Sequence, residues 1–188
     1  MDRRKALLKM GMSMGYVVAA PTFLTILQSC KGEKEVSWMP TFFSQNQALI
    51  LVNAIDAILP KTDTPSASEV NVHIFLDQFV NEVMEIKQQD QFKSTLDILA
   101  VDTLKASGKN EIKELTPEDI APILRTALES PKDNKELSFV KNIRDLTIWA
   151  YKCNEYIGEE VLAYLPVPGQ YVPCGTIEEL TKGKAWSI

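Results

Sequence analysis

The strongest constraint on this fold is the recurrence of its apolar residues, every three or four positions and never every two. Val72, Phe75, Leu76, Phe79, Val80 and Val83 form one stripe, and Ala48, Leu51, Val52, Ile55, Ile58 and Leu59 form another. Residues so spaced line up along one side of an α-helix, whereas a strand would scatter them over both faces. No window of the 188 residues sustains two-residue alternation, and no internal repeat is visible. The expected fold class is all-α: a single irregular helical domain of about five main helices with a loop-rich C-terminal tail.

Local signals place the helix ends. Ser44 with Gln47 reads as a capping box opening the first helix, and Pro60 stops it. Lys61 to Ser68 is a polar loop between helices. A second helix is expected from about Asn71 to Gln88 and a third from about Gln91 to Ser107, closed by Gly108 in a left-handed cap. Thr116, Pro117, Glu118 and Asp119 supply a cap, a first-turn proline and acids near the positive end of a helix reaching about Ser130. Pro131 to Asn134 reads as a turn. The longest helix is expected from Lys135 to about Tyr156, with Val140, Ile143, Leu146, Thr147, Ala150 and Tyr151 facing the core. Gly158 should bend or break it before a short piece, Glu159 to Tyr164. Beyond Leu165, closely spaced prolines and glycines favour loop.

The first thirty residues read as an address label. Arg3 and Arg4 head a basic stretch that resembles a twin-arginine export signal, followed by 18 uncharged residues from Met10 to Leu27. Leu27-Gln28-Ser29-Cys30 resembles a lipobox, so residues 1–29 are expected to be a lipoprotein signal and Cys30 the lipidated residue. Residues 30–43 would then be a lipidated tether and residues 44–188 the helical domain. The competing readings are an uncleaved anchor, since 18 residues just span a bilayer as a helix, and a cleaved signal without lipid. Gly11, Ser13, Gly15 and Pro21 make the run only weakly apolar, which favours the signal. Two or three acyl chains at Cys30 would anchor stably, at about 0.8 kcal/mol per buried CH₂. The expected location is the periplasm or the outer-membrane or cell surface.

Composition excludes several classes of chemistry. A net charge of −5 gives no basic surface for nucleic acid. The chain has 1 histidine, His73, so a multi-histidine metal site cannot be built, and a serine–histidine–aspartate triad would have to use this helical residue. No CxxCH, GxGxxG or GxxxxGK can be written, which leaves haem, dinucleotide and phosphate-loop chemistry without a motif. Asp56, Asp63, Asp77 and Glu82 could in principle serve acid–base work, but no spacing singles out a pair and they are expected to face water. No catalytic, cofactor-binding or metal residue is therefore assigned. Apart from Cys30, the cysteines are Cys153 and Cys174, which outside the cytoplasm either pair or remain two thiols.

Two segments carry a family resemblance. Ile58 to Ala67, reading ILPKTDTPSA, resembles the "ILP-x-TDTPGA" signature of the gluconate 2-dehydrogenase subunit 3 family. Tyr164 to Cys174, reading YLPVPGQYVPC, is similar to its "Y-x-x-x-PG-x-Y-x-GC", and Ala185-Trp186 resembles its closing "aW". The resemblance implies a small subunit without a redox centre of its own. Its partner would be a large flavoprotein of the glucose-methanol-choline type carrying FAD, with haem c in a c-type cytochrome as third subunit. The small subunit would escort, stabilise and anchor that enzyme. Partner contact is expected from Thr62, Asp63, Thr64 and Pro65, and from Tyr164, Pro168, Gly169, Tyr171 and Trp186 in the tail. The competing local readings are a loop in which Asp63 and Thr64 cap the next turn, and a tail that packs its rings back over the helices. The competing function is a free-standing surface lipoprotein that binds a ligand or matrix component without any dehydrogenase.

Overall fold

Six α-helices, one more than expected, make up the body of a computed structural model, which describes residues 38–129, 139–167, 169 and 174–187. All of these lie in one compact unit, Val36–Ile188. The export label with Arg3, Arg4 and Cys30 lies outside the described residues, as do the expected turn at 131–134, Pro168 and Tyr171. Helix α1 spans Gln45–Ile58, α2 Val72–Glu82, α3 Ile86–Ser107, α4 Pro117–Glu129, α5 Val140–Lys152 and α6 Ile177–Thr181. The fold is all-α, as the periodicity requires. Among the described residues the only β-type pairing is an isolated parallel bridge between Ala163 and Trp186, and no helix is long and apolar enough to cross a membrane.

Helix α1 is the hub, packed against α2, α3, α4 and α5. That position explains why Ala48, Ile50, Leu51, Ala54 and Ile55 are all buried, a wider face than one stripe provides. Its capping box forms as expected: Ser44 Oγ accepts from Gln47 N at 3.3 Å, and Gln47 Oε1 accepts from Ser44 N at 3.1 Å. Around α1 the core is completed by Leu76, Phe92, Leu96, Leu99, Ile120 and Ile143, each fully buried.

Three boundaries differ from expectation. The second helix stops at Glu82 instead of continuing to Gln88, and the third begins at Ile86, which makes α3 the longest described helix at 22 residues. Two glutamines make this break. Gln88 Oε1 accepts from Glu85 N at 3.4 Å, and Gln89 Nε2 donates to the carbonyls of Val80, Asn81 and Met84 at 2.9, 3.0 and 3.1 Å. One side-chain amide thus satisfies two of the carbonyls that α2 leaves open at its C-terminus, Val80 and Asn81, and ties them to Met84 just beyond.

The second difference concerns α5, whose described part ends at Lys152. A separate π-helical turn, Tyr156–Val161, follows it. Gly158 sits inside this turn, where an added Cβ would lie 3.1 Å from the Lys152 carbonyl oxygen, so it permits the close approach and does not mark the break. The third difference is in the tail, which is loop-rich but contains α6, capped by Thr176 Oγ1 accepting from Glu179 N at 3.2 Å.

The helical body also begins earlier than Ser44. Trp38–Phe43 is a strap lying on α2, held by Asp77. Its carboxylate, expected to face water, is 1% exposed and accepts from the backbone N–H groups of Thr41, Phe42 and Phe43 at 2.7, 3.1 and 3.1 Å. Phe43 enters the core against Phe92, with ring centroids 5.2 Å apart, and Lys93 Nζ lies 3.6 Å from the Phe42 ring centroid. Residues 38–43, read from the sequence as part of the 30–43 tether, therefore pack with the helical body. Gly108 behaves as read, closing α3 at φ +69°.

Candidate interaction face

The Ile58–Ala67 motif forms a crest between α1 and α2, fastened at its base. Asp56, at the end of α1, accepts from Ser68 N at 2.8 Å and from Ser68 Oγ at 2.6 Å. Glu69 accepts from Ser66 N at 3.0 Å and pairs with Lys61, which holds its carboxyl below the ordinary glutamate value. Tyr151 reaches across from α5 and donates its hydroxyl to the Pro65 carbonyl at 2.7 Å. In the reading where Asp63 and Thr64 cap the next turn, the bonds are instead made by Asp56 and Glu69. Thr62 and Asp63 are exposed at the top, while Thr64 and Pro65 are half-buried. The long-range tie from Tyr151 is what makes this loop a fixed feature.

In the tail, Ala163 N donates to Ala185 O at 2.8 Å and Ser187 N to Ala163 O at 3.1 Å, clipping the chain end to the segment after the π-turn. Tyr164 and Trp186 remain 44% and 45% exposed, so these two rings are not packed back over the helices. Gly169 is exposed with φ +72°. Cys153 and Cys174 are free, exposed thiols, so the pairing alternative does not describe this structure.

Beside the clip lies a cluster that the helical pattern concealed. Phe75 and Phe79 of α2 stack with centroids 5.7 Å apart, and Trp149 of α5 meets both edge-on at 5.4 Å. Periodicity assigned Phe75 and Phe79 to the core, yet Phe75 is 36% exposed and Trp149 is 46% exposed. Each edge-on pair contributes about 0.5–1.5 kcal/mol beyond area burial, so the rings support one another while staying accessible. Trp149 also lines a cleft of about 390 Å³ together with Lys152, Cys153, Asn154, Tyr164 and Ser187. Phe75 lines a second cleft, of about 420 Å³, that shares Cys153 and Asn154. The rings, both clefts and Tyr164 thus form one continuous face. The Thr62–Pro65 crest lines neither cleft, so the two expected contact regions are not brought into one site.

His73, the residue on which any triad would have depended, is buried with an indole against it and no carboxylate bonded to Nδ1. Burial lowers its pKa from 6.5, and the Asp56 charge opposes that shift. Asp119 is likewise held below its ordinary value, first by Lys109 and then by the Thr116 N–H, but it serves to cap α4. Among the described residues, no group of three or more His, Cys, Asp or Glu side chains is placed to hold a metal ion.

Exposed aromatic rings packed on one another beside open clefts are the kind of surface that protein interfaces use. The family model for gluconate 2-dehydrogenase subunit 3 matches residues 45–169, spanning α1 to the start of the tail and including the crest. This chain belongs to that family, a family of subunits of a dehydrogenase complex. No curated protein and no solved structure matches it.

Proposed function

We propose that the chain is a non-catalytic accessory subunit that binds the catalytic flavoprotein of a sugar or gluconate dehydrogenase through the Phe75–Phe79–Trp149 face. The exposed, pre-packed aromatic cluster carries this reading. Three rings held in fixed mutual geometry lose little entropy when a partner covers them, and such aromatic anchors concentrate binding energy. The family supplies the kind of partner. Twin-arginine export through Arg3 and Arg4 would deliver partner and escort together, already folded, and lipidation of Cys30 would hold the pair at a membrane surface. FAD would reside in the large subunit, and a c-type cytochrome carrying haem c would receive its electrons. The Tyr164–Trp186 clip would extend this contact, and the crest around Asp63 would make a separate one.

Co-expression provides the test. The dehydrogenase large subunit should accumulate outside the cytoplasm only when this chain is present with Arg3 and Arg4 intact. Export of the large subunit undiminished by Arg3→Lys with Arg4→Lys would remove the escort role. Dehydrogenase turnover by this chain alone would remove the accessory one.

A further inference from the structure

The strap and α2 meet at two residues one helical turn apart, His73 and Asp77. Asp77 uses its two oxygens on three strap N–H groups. His73 is 6% exposed and packs its ring against Trp38, with centroids 5.3 Å apart and planes inclined by 55°. Neither His73 Nδ1 nor Trp38 Nε1 has a hydrogen-bond partner, and both atoms are buried. The indole N–H is a donor only, so it cannot accept a bond from a protonated Nδ1. Neutral imidazole therefore fits this seat, and imidazolium does not.

We propose that Trp38–Phe43 is a pH-sensitive latch, seated while His73 is neutral and released at its Trp38 end when His73 takes up a proton. This does not rest on the dehydrogenase partnership. The charged groups near His73 are Asp56, reaching from α1, and Asp77 on its own helix; the strap contributes only the indole. Asp56 favours the imidazolium, and the indole face would add a cation–π attraction. Both are outweighed by lost hydration, the dominant cause of the downward shift of the His73 pKa. Because folding lowers that pKa, seating is fully stable above the ordinary value of 6.5 and is lost as pH falls through the lowered value. His73 touches the strap at Trp38, whereas Asp77 holds it at Thr41–Phe43, so release starts at Trp38.

The test uses the full chain and exploits its 1 histidine, whose ring signals in NMR need no assignment. The His73 Cε1–H shift should titrate with a midpoint below 6.5. The Trp38 indole N–H peak, identified by Trp38→Phe, should move with the same midpoint. Hydrogen exchange at the Trp38 end should accelerate about tenfold beyond the intrinsic pH effect across that midpoint. His73→Gln, neutral at every pH, should abolish both changes. Asp56→Asn, which removes the favourable charge, should move the midpoint lower and covers the case in which His73→Gln fails to fold. A Trp38 signal that stays still while His73 titrates would overturn the latch. So would a midpoint at or above 6.5, or the same pH response in His73→Gln.

Discussion

Replacing Asp77 by Asn keeps the side-chain volume but exchanges one acceptor oxygen for an NH₂ donor. The amide oxygen can occupy the Oδ1 position and retain Phe42 and Phe43 N–H, both at 3.1 Å. The NH₂ group then faces Thr41 N–H, whose bond at 2.7 Å is the shortest of the three. Losing a hydrogen bond to a charged group costs about 1.5–3 kcal/mol, and reducing the other two from charge-assisted to neutral costs about 1 kcal/mol in total. The loss has a ceiling, because a detached strap lets water satisfy its N–H groups. What is then forfeited is the burial of Phe43, about 1.5–3 kcal/mol, with the strap's bonds. Both routes give a destabilisation of about 2–4 kcal/mol, or about 5–15 °C in Tm for a domain of this size. Urea unfolding followed by far-UV circular dichroism measures it. A change below about 0.5 kcal/mol would show that the strap is not seated on α2, and the account of the N-terminal boundary would fall with it.

Other substitutions test separate parts of the structure. Tyr151→Phe removes only the bond to the Pro65 carbonyl and should cost about 0.5–1.5 kcal/mol; unchanged stability and unchanged hydrogen exchange in the crest would mean that the crest is not tied to α5. Gly108→Ala forces a side chain into a left-handed cap at φ +69° and should cost about 1 kcal/mol by thermal unfolding. The Asp119 pKa is depressed by Lys109, so its contribution is present above the ordinary aspartate value and is lost as pH falls below it. Stability between pH 5 and pH 2 should therefore fall less steeply in Lys109→Met than in the parent chain.

How far the sequence could be read follows from the range of each interaction. Ser44 with Gln47, Gly108, and Thr116 with Pro117 act on their own turn, and the helix starts and stops they imply are present. The α2–α3 break is not legible in the sequence because Gln89 caps from five to nine residues away, beyond any local pattern. Asp77 looked like a surface acid because its partners are backbone groups 34 to 36 positions earlier. Phe75 and Phe79 matched a core stripe, yet α2 is covered by α5 on only part of that stripe, and Trp149 closes the cluster at the surface. Spacing shows which residues share a helix face. How much of the face a neighbour covers is a tertiary fact.

The central claim is that Phe75, Phe79 and Trp149 form the face that a dehydrogenase subunit covers. Purification of the tagged chain from its native host, scored for a co-purifying FAD-containing dehydrogenase, tests this directly when the parent is compared with Trp149→Ala. The account predicts that the flavoprotein is recovered with the parent chain and falls at least tenfold with Trp149→Ala, while the circular dichroism of the variant still reports a folded helical body. Equal recovery with a correctly folded Trp149→Ala, or no flavoprotein with either chain, would contradict it.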